Sequence, residues 1–222
     1  MNIERMTPDE RAARHAALAE VARITVVDEL ALGDRSPSEL QAVLGLPSNL
    51  VAHHLKVLED AGLVARRRSE GDKRRTYLTL ADMTTGEGEP IPLAVSRVVF
   101  VCSANSARSQ LAAALWAQTS DIPVASAGTH PAEQIALGAK AVAERHALKL
   151  IAAAPQQLAT ILDGGDFVIA VCDNAYEELG SSVSLHWSIP DPVAQGEDAA
   201  FDIAYAELYR RIATLAPRLI AA

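Results

Sequence analysis

The stretch Cys102-Ser103-Ala104-Asn105-Ser106-Ala107-Arg108-Ser109 sets a cysteine six positions before an arginine, with only small or polar residues between them. A loop of this composition can turn successive backbone N–H groups toward one point, and a helix starting behind it adds partial positive charge there. A tetrahedral oxyanion suits such a cradle. The planar fork of Arg108 can clasp two equatorial oxygens, and Ser109 is placed to hydrogen-bond the Cys102 sulfur. Asn105 suits a tight left-handed turn. The chemistry implied is attack by the Cys102 thiolate on an anion held by Arg108 and the amides of Ser103, Ala104, Asn105, Ser106, Ala107, Arg108 and Ser109. Asp191 stands before Pro192, where by itself it reads as a turn aspartate. Cys172, the other of two cysteines in the chain, is either a resolving thiol or an inert residue at a strand end.

The segments around these residues alternate strand and helix. RVVFVC (97–102) is a β-branched strand entering the loop, and SQLAAALWAQ (109–118) is the helix that leaves it. IPVASAG (122–128), DFVIAVC (166–172) and SVSLHWSIP (182–190) are predicted strands. AEQIALGAKAVAERH (132–146) and AAFDIAYAELYRRIATLA (199–216) are predicted helices. This alternation implies an α/β domain over 97–222, with a four-stranded parallel sheet covered on both faces.

Residues 83–96 are rich in Gly, Pro and small side chains and are predicted to be a linker. Before it, residues 1–82 are mainly helical. Thr7, Pro8 and Glu10 form a capping-box start, and Ala13, Ala17, Val21, Ile24, Val27 and Ala31 follow with a period near 3.6, which predicts one long amphipathic helix. Ser36, Pro37 and Glu39 open a second helix that stops at Gly45, and a third runs from about Ser48 to Ala61. LVARRR and RRTYLTL around SEGDK make two strands and a turn, a wing behind a helix-turn-helix.

Charge divides unevenly. Lys and Arg against Asp and Glu number 12 to 13 in residues 1–82 and 8 to 15 in residues 83–222, for a net −8 overall. Near neutrality in the first part conceals a basic cluster, Arg66, Arg67, Arg68, Lys73, Arg74 and Arg75, suited to phosphate. On the third helix Asn49, His53 and Lys56 fall at i, i+4 and i+7 and form a polar stripe that either enters a DNA major groove or is a solvated face. No apolar run is long enough to cross a membrane and no secretory signal opens the chain, so it is expected to be cytoplasmic, with reduced thiols.

GLPSNLVAHHLKVLEDAGLVARRR and the basic hairpin after it resemble the winged-helix repressors of the ArsR/SmtB family. The resemblance implies operator DNA as partner, a homodimer, and DNA contacts from Ser48, Asn49 and His53 and from the Arg66–Arg68 and Lys73–Arg75 wing. Residues 31–41, ALGDRSPSELQ, lack the cysteines through which many members sense arsenite or metals, and no metal site is expected. NSARSQ (105–110), CDNA (172–175) and HWSIPDP (186–192) resemble low-molecular-weight tyrosine phosphatases and, more closely, their arsenate reductase relatives. That resemblance implies the phosphatase I-type, flavodoxin-like fold, Cys102 as nucleophile, Asp191 as acid, and no bound cofactor. An external thiol reductant, such as thioredoxin, glutaredoxin or mycoredoxin with a small thiol, would close the cycle. Cys172 matches the first resolving cysteine of thioredoxin-coupled relatives, whereas Leu179 stands where the second would be. The expected function is arsenic-responsive DNA binding fused to arsenate reduction. The alternatives are a regulator whose second domain only senses oxyanions or arsenic, and a tyrosine phosphatase tethered to DNA. Val193 and Ala194 after Asp191-Pro192, in place of aromatic residues, count against the last.

Overall fold

The computed structural model describes residues 6–81 and 92–222. They divide into two compact units, residues 6–68 with 74–81, and residues 69–73 with 92–222.

The first unit is helical. Thr7 accepts from the Glu10 amide while the Glu10 carboxylate takes the Thr7 amide, fixing the start of α1 (Pro8–Ala17). The expected long helix is in fact two. α1 ends at Leu18, Glu20 is extended, and α2 runs over Val21–Leu32. The break follows from packing: α2 buries Val26, Val27, Leu30 and Ala31 and leaves Val21 and Ile24 in solvent, so a continuous stripe would have faced the wrong way. Arg23 reaches back to the Ala17 carbonyl, and the Glu20 carboxylate lies 3.0 Å from His54 Nδ1. α3 (Pro37–Leu44) carries the Ser36/Glu39 capping box and ends at Gly45 in the left-handed region (φ 63°), where a β-carbon would be strained. α4 (Ser48–Asp60) follows after a short turn, and β1 (Val64–Arg68) pairs antiparallel with β2 (Thr76–Leu80), Val64 opposite Leu80. Leu40, Val51, Leu55, Leu58, Leu63 and Leu78 join the α2 residues in one core.

The second unit is α/β. Its sheet is parallel and four-stranded in the order β5 (Val124–Gly128), β4 (Arg97–Cys102), β6 (Asp166–Ala170), β7 (Leu185–His186). Central β4 is apolar on both faces, as a strand covered on both sides must be. Its Phe100 ring packs between Trp116 and Trp187, at 6.0 and 5.8 Å between centroids. α5 (Arg108–Thr119) and α10 (Asp198–Leu215) pack on each other, with α6 (Leu137–Arg145) and short α7 (Leu158–Ile161), α8 (Asp173–Leu179) and α9 (Pro192–Gln195) completing the cover.

Three expectations change in detail. The helix expected from 132 begins at Leu137, because the Ala132 and Ala136 amides donate to the 102–109 loop. The strand expected over 182–190 shortens to two residues; the Trp187 amide still bonds to Ala170 O of β6, and the chain then leaves the sheet as the Ile189 amide folds back onto Trp187 O. Within the expected linker, Leu93–Val95 forms β3, paired in parallel with β8 (Leu219–Ala221). Among the described residues no helix is long and apolar enough to cross a membrane.

Candidate functional site

β4 delivers Cys102, buried, to the carboxyl edge of the sheet, and α5 starts at Arg108, so the intervening residues must reverse direction in a few steps. Asn105 makes the reversal in the left-handed region (φ 48°). Its side chain is held on three sides: Nδ2 donates to Ser109 Oγ at 2.8 Å, and Oδ1 accepts from Gln110 Nε2 at 3.0 Å and the Gln156 amide at 2.8 Å. Because Ser109 Oγ already accepts from Asn105, its own hydrogen is left to donate to the Cys102 sulfur, 3.1 Å away. The Asn105 amide also points at that sulfur, at 3.2 Å.

The loop carbonyls are engaged from outside. Thr129, His130, Ala132 and Ala136 amides donate to Cys102, Ser103, Ala104 and Ser106 oxygens at 3.2, 2.8, 2.9 and 2.9 Å, and Gln110 Nε2 takes Asn105 O at 3.2 Å. In a trans peptide the N–H opposes the C=O, so a strap that draws the carbonyls outward turns the amides inward. The 129–136 segment therefore shapes the cradle.

Gly128 shows how closely the strap's strand approaches. A β-carbon there would lie 2.5 Å from Ser103 O and 3.0 Å from Asn105 N, both backbone atoms. Gly128→Ala is expected to displace the loop, weakening inorganic phosphate or arsenate binding at least tenfold and costing about 1–3 kcal/mol of stability. Calorimetric titration and thermal unfolding would measure the two effects. An alanine variant with unaltered anion affinity would show that the loop tolerates the shift.

Arg108 is buried. Nη1 donates to Ile189 O at 2.9 Å and to Glu70 Oε2 at 3.2 Å, and Nη2 pairs with Asp191 Oδ2 at 3.1 Å. Burial works against its charge, but the nearby sulfurs of Cys172 and Cys102 and the carboxylates of Asp191 and Glu70 outweigh that and hold its pKa above the ordinary value. Asp191, at the start of α9, accepts from the Val193 amide with its other oxygen, at 3.1 Å. Cys172 caps α8, its sulfur 3.4 Å from the Ala175 amide and 3.7 Å from Ser103 Oγ. Burial, and then the neighbouring Cys102, push its pKa to about 11, so at neutral pH it is a thiol. Next to it Asp173 and His186 form a buried pair at 2.9 Å with Tyr176 stacked on the imidazole, and Trp187 is buried, so both residues pack the sheet edge. Among the described residues no three or more His, Cys, Asp or Glu side chains are grouped to hold a metal ion.

In the first unit, α4 presents the expected stripe. Ser48, Asn49, His53 and Lys56 are exposed, whereas Val51, His54, Leu55 and Leu58 are buried. Lys56 pairs with Asp60 at 3.0 Å and Arg66 with Glu59 at 2.9 Å. Arg66, Arg68, Lys73, Arg74 and Arg75 are exposed and Arg67 is half-buried.

A model of the low molecular weight phosphotyrosine protein phosphatases matches residues 97–222, more than half of the chain. The chain belongs to this family. A helix-turn-helix domain model matches residues 18–67. The phosphatase-family part is similar to an arsenate reductase from Archaeoglobus fulgidus, at 27% identity over 54% of this chain and 98% of that one, with a TM-score of 0.47. It is also similar to the YwlE arginine phosphatase from Geobacillus stearothermophilus, at 25% identity, covering 55% of this chain and 91% of that one (TM-score 0.45). A third structure, Vibrio vulnificus Wzb in complex with benzylphosphonate, shares 20% identity over 57% of this chain and 100% of that one (TM-score 0.51). No curated protein matches the chain.

Within this phosphatase-family unit the expected cradle residues Cys102 to Ser109 come together, with Asp191 against Arg108 and Cys172 beside Ser103. Sequence reasoning missed Glu70, the 129–136 strap and the two-point grip of Gln110 on Asn105. The strap acts through main-chain amides, which leave no mark in side-chain pattern. Glu70 lies 38 positions before Arg108, in a segment read as a turn.

Proposed function

We propose that the second unit reduces arsenate and that the first binds operator DNA as a homodimer of the ArsR/SmtB type, the whole forming an arsenic-responsive regulator in the cytoplasm. The observation that carries the catalytic part is the meeting of Cys102, Ser109, Arg108 and Asp191 around one loop whose carbonyls are all turned away. The thiolate of Cys102 would attack arsenic, Asp191 would protonate the departing oxygen so that water leaves, and the loop amides with Arg108 would hold the negative charge. A second thiol would then attack the Cys102 sulfur of the adduct. The As–S electron pair stays on arsenic, releasing arsenite and forming a disulfide.

That second thiol is best supplied from outside. Cys172 is near, but burial pushes its thiol up to about 11, which leaves very little thiolate at neutral pH. Thioredoxin, or glutaredoxin or mycoredoxin with a small thiol, supplies a reactive thiolate without that handicap. The decisive experiment is arsenite release from arsenate by the purified chain with each donor system in turn. Turnover with at least one donor is expected, and no arsenite with any of them would discard the reductase reading. A second reading, that the unit senses an oxyanion without turnover, draws support from the same protonated Cys172, which leaves the chain without a reactive second thiol of its own.

A further inference from the structure

The turn Ser69-Glu70-Gly71-Asp72 lies on the start of α8, where Ser69 Oγ donates to Glu177 Oε1 and the Asp72 amide to Glu177 Oε2, both at 2.7 Å, and the Glu70 amide donates to Asp173 Oδ2 at 2.8 Å. The approach is close enough that a β-carbon on Gly71 would meet Glu177 Oε2 at 2.6 Å. Ser69 is buried, and its oxygen accepts the Gly71 amide at 2.9 Å. The turn is thus tied down by directed hydrogen bonds on carboxylates, and it aims one charge at the site. Glu70 Oε2 takes Arg108 Nη1 at 3.2 Å and Oε1 takes the Asp191 amide at 2.9 Å.

We infer that Glu70 is a built-in anionic ligand of the Arg108 site, a carboxylate on an acidic peptide turn whose docking opposes oxyanion binding. This rests on the reading of the Cys102–Ser109 loop as an oxyanion cradle. The physical ground is charge. One guanidinium already faces two carboxylates, Glu70 and Asp191, and a doubly charged arsenate or phosphate arriving beside them meets repulsion that Arg108 alone does not offset. The same contacts restrain the acid. With its amide on Glu70 and its carboxylate on Arg108, Asp191 faces the arginine, and to protonate a departing oxygen it must let go. Loss of Glu70 from the site removes one anion and frees the Asp191 main chain together, so oxyanion entry and Glu70 docking exclude each other.

The test uses the full chain and inorganic arsenate. Its affinity is measured by calorimetry and, independently, by the concentration that protects Cys102 from iodoacetamide. Glu70→Ala is expected to bind arsenate about tenfold or more tightly than the unaltered chain. Glu70→Gln, which keeps the shape and loses the charge, should move in the same direction. Glu177→Ala, which removes two hydrogen bonds that hold the turn without touching Arg108, should do so as well. Unchanged or weaker affinity in Glu70→Ala overturns the inference, as does an absence of measurable arsenate binding in every variant. If affinities follow the expected order while no variant forms arsenite with any thiol donor, the inference stands and the reductase reading alone fails.

Discussion

Cys102→Ser is expected to reduce both arsenate reduction and aryl phosphate hydrolysis by at least about a thousandfold while leaving anion binding within a few-fold of the unaltered chain. The separation follows from where the sulfur sits. The Asn105 amide and Ser109 Oγ converge on it at 3.2 and 3.1 Å, and a serine oxygen in the same place can take part in the same hydrogen bonds. The loop should keep its form, since its carbonyls are tied to Thr129, His130, Ala132 and Ala136 and not to the side chain at 102. What is lost is the nucleophile, because a hydroxyl is not ionised at neutral pH and oxygen attacks arsenic or phosphorus poorly without a base. Arg108→Lys is expected to fail differently. One ammonium cannot reach Ile189 O and Asp191 together with the geometry of a planar fork, so binding and turnover should both fall. Arsenite release and calorimetric titration, run on both variants, separate the cases. Turnover by Cys102→Ser within tenfold of the unaltered chain would remove Cys102 from the mechanism.

The cradle was legible because its requirements are local. A cysteine at the end of a β-branched strand, small residues, and an arginine opening a helix can be seen in eight consecutive letters, and Asn105 adopts the left-handed turn that its side chain tolerates. Helix ends were legible for the same reason: the Ser36/Glu39 box and Gly45 are contacts within one turn. What stayed hidden depends on distant partners. The 3.6-residue period from Ala13 to Ala31 cannot report that Glu20 is drawn toward His54, 34 positions on, or that Val21 faces solvent once α2 has turned its other face inward. The 132–136 segment has helical composition, yet two of its amides are needed by loop carbonyls some 30 positions earlier, and the helix gives way. Glu70 is one more acidic residue in a glycine turn until the fold sets it beside Arg108.

Replacing both Arg67 and Arg74 by alanine is expected to weaken DNA binding about ten- to hundredfold at low salt, on any sequence, and to flatten its salt dependence. Each lysine or arginine that neutralises a phosphate releases condensed counterions and contributes about 0.9 to the slope of log affinity against log salt, so two lost contacts should lower the slope by about 1.8. Arg67 lies on β1 opposite Tyr77 of β2, and Arg74 follows in the connection between those strands, within a basic cluster that a near-neutral first half does not otherwise explain. Asn49→Ala should behave differently. Asn49 is exposed at the first turn of α4, above the buried Val51, Leu55 and Leu58 that seat the helix, and an amide side chain can pair with an adenine edge through two hydrogen bonds. Its loss should reduce the ratio of operator to non-operator affinity and leave the salt slope alone, because no phosphate contact goes with it. Fluorescence anisotropy with operator and scrambled duplexes, repeated from about 50 to 200 mM salt, reads both quantities. If the double arginine variant keeps the slope and affinity of the unaltered chain, the wing does not touch phosphate. If Asn49→Ala also keeps the full preference for operator, the assignment of α4 and the hairpin as the DNA-binding surface is lost.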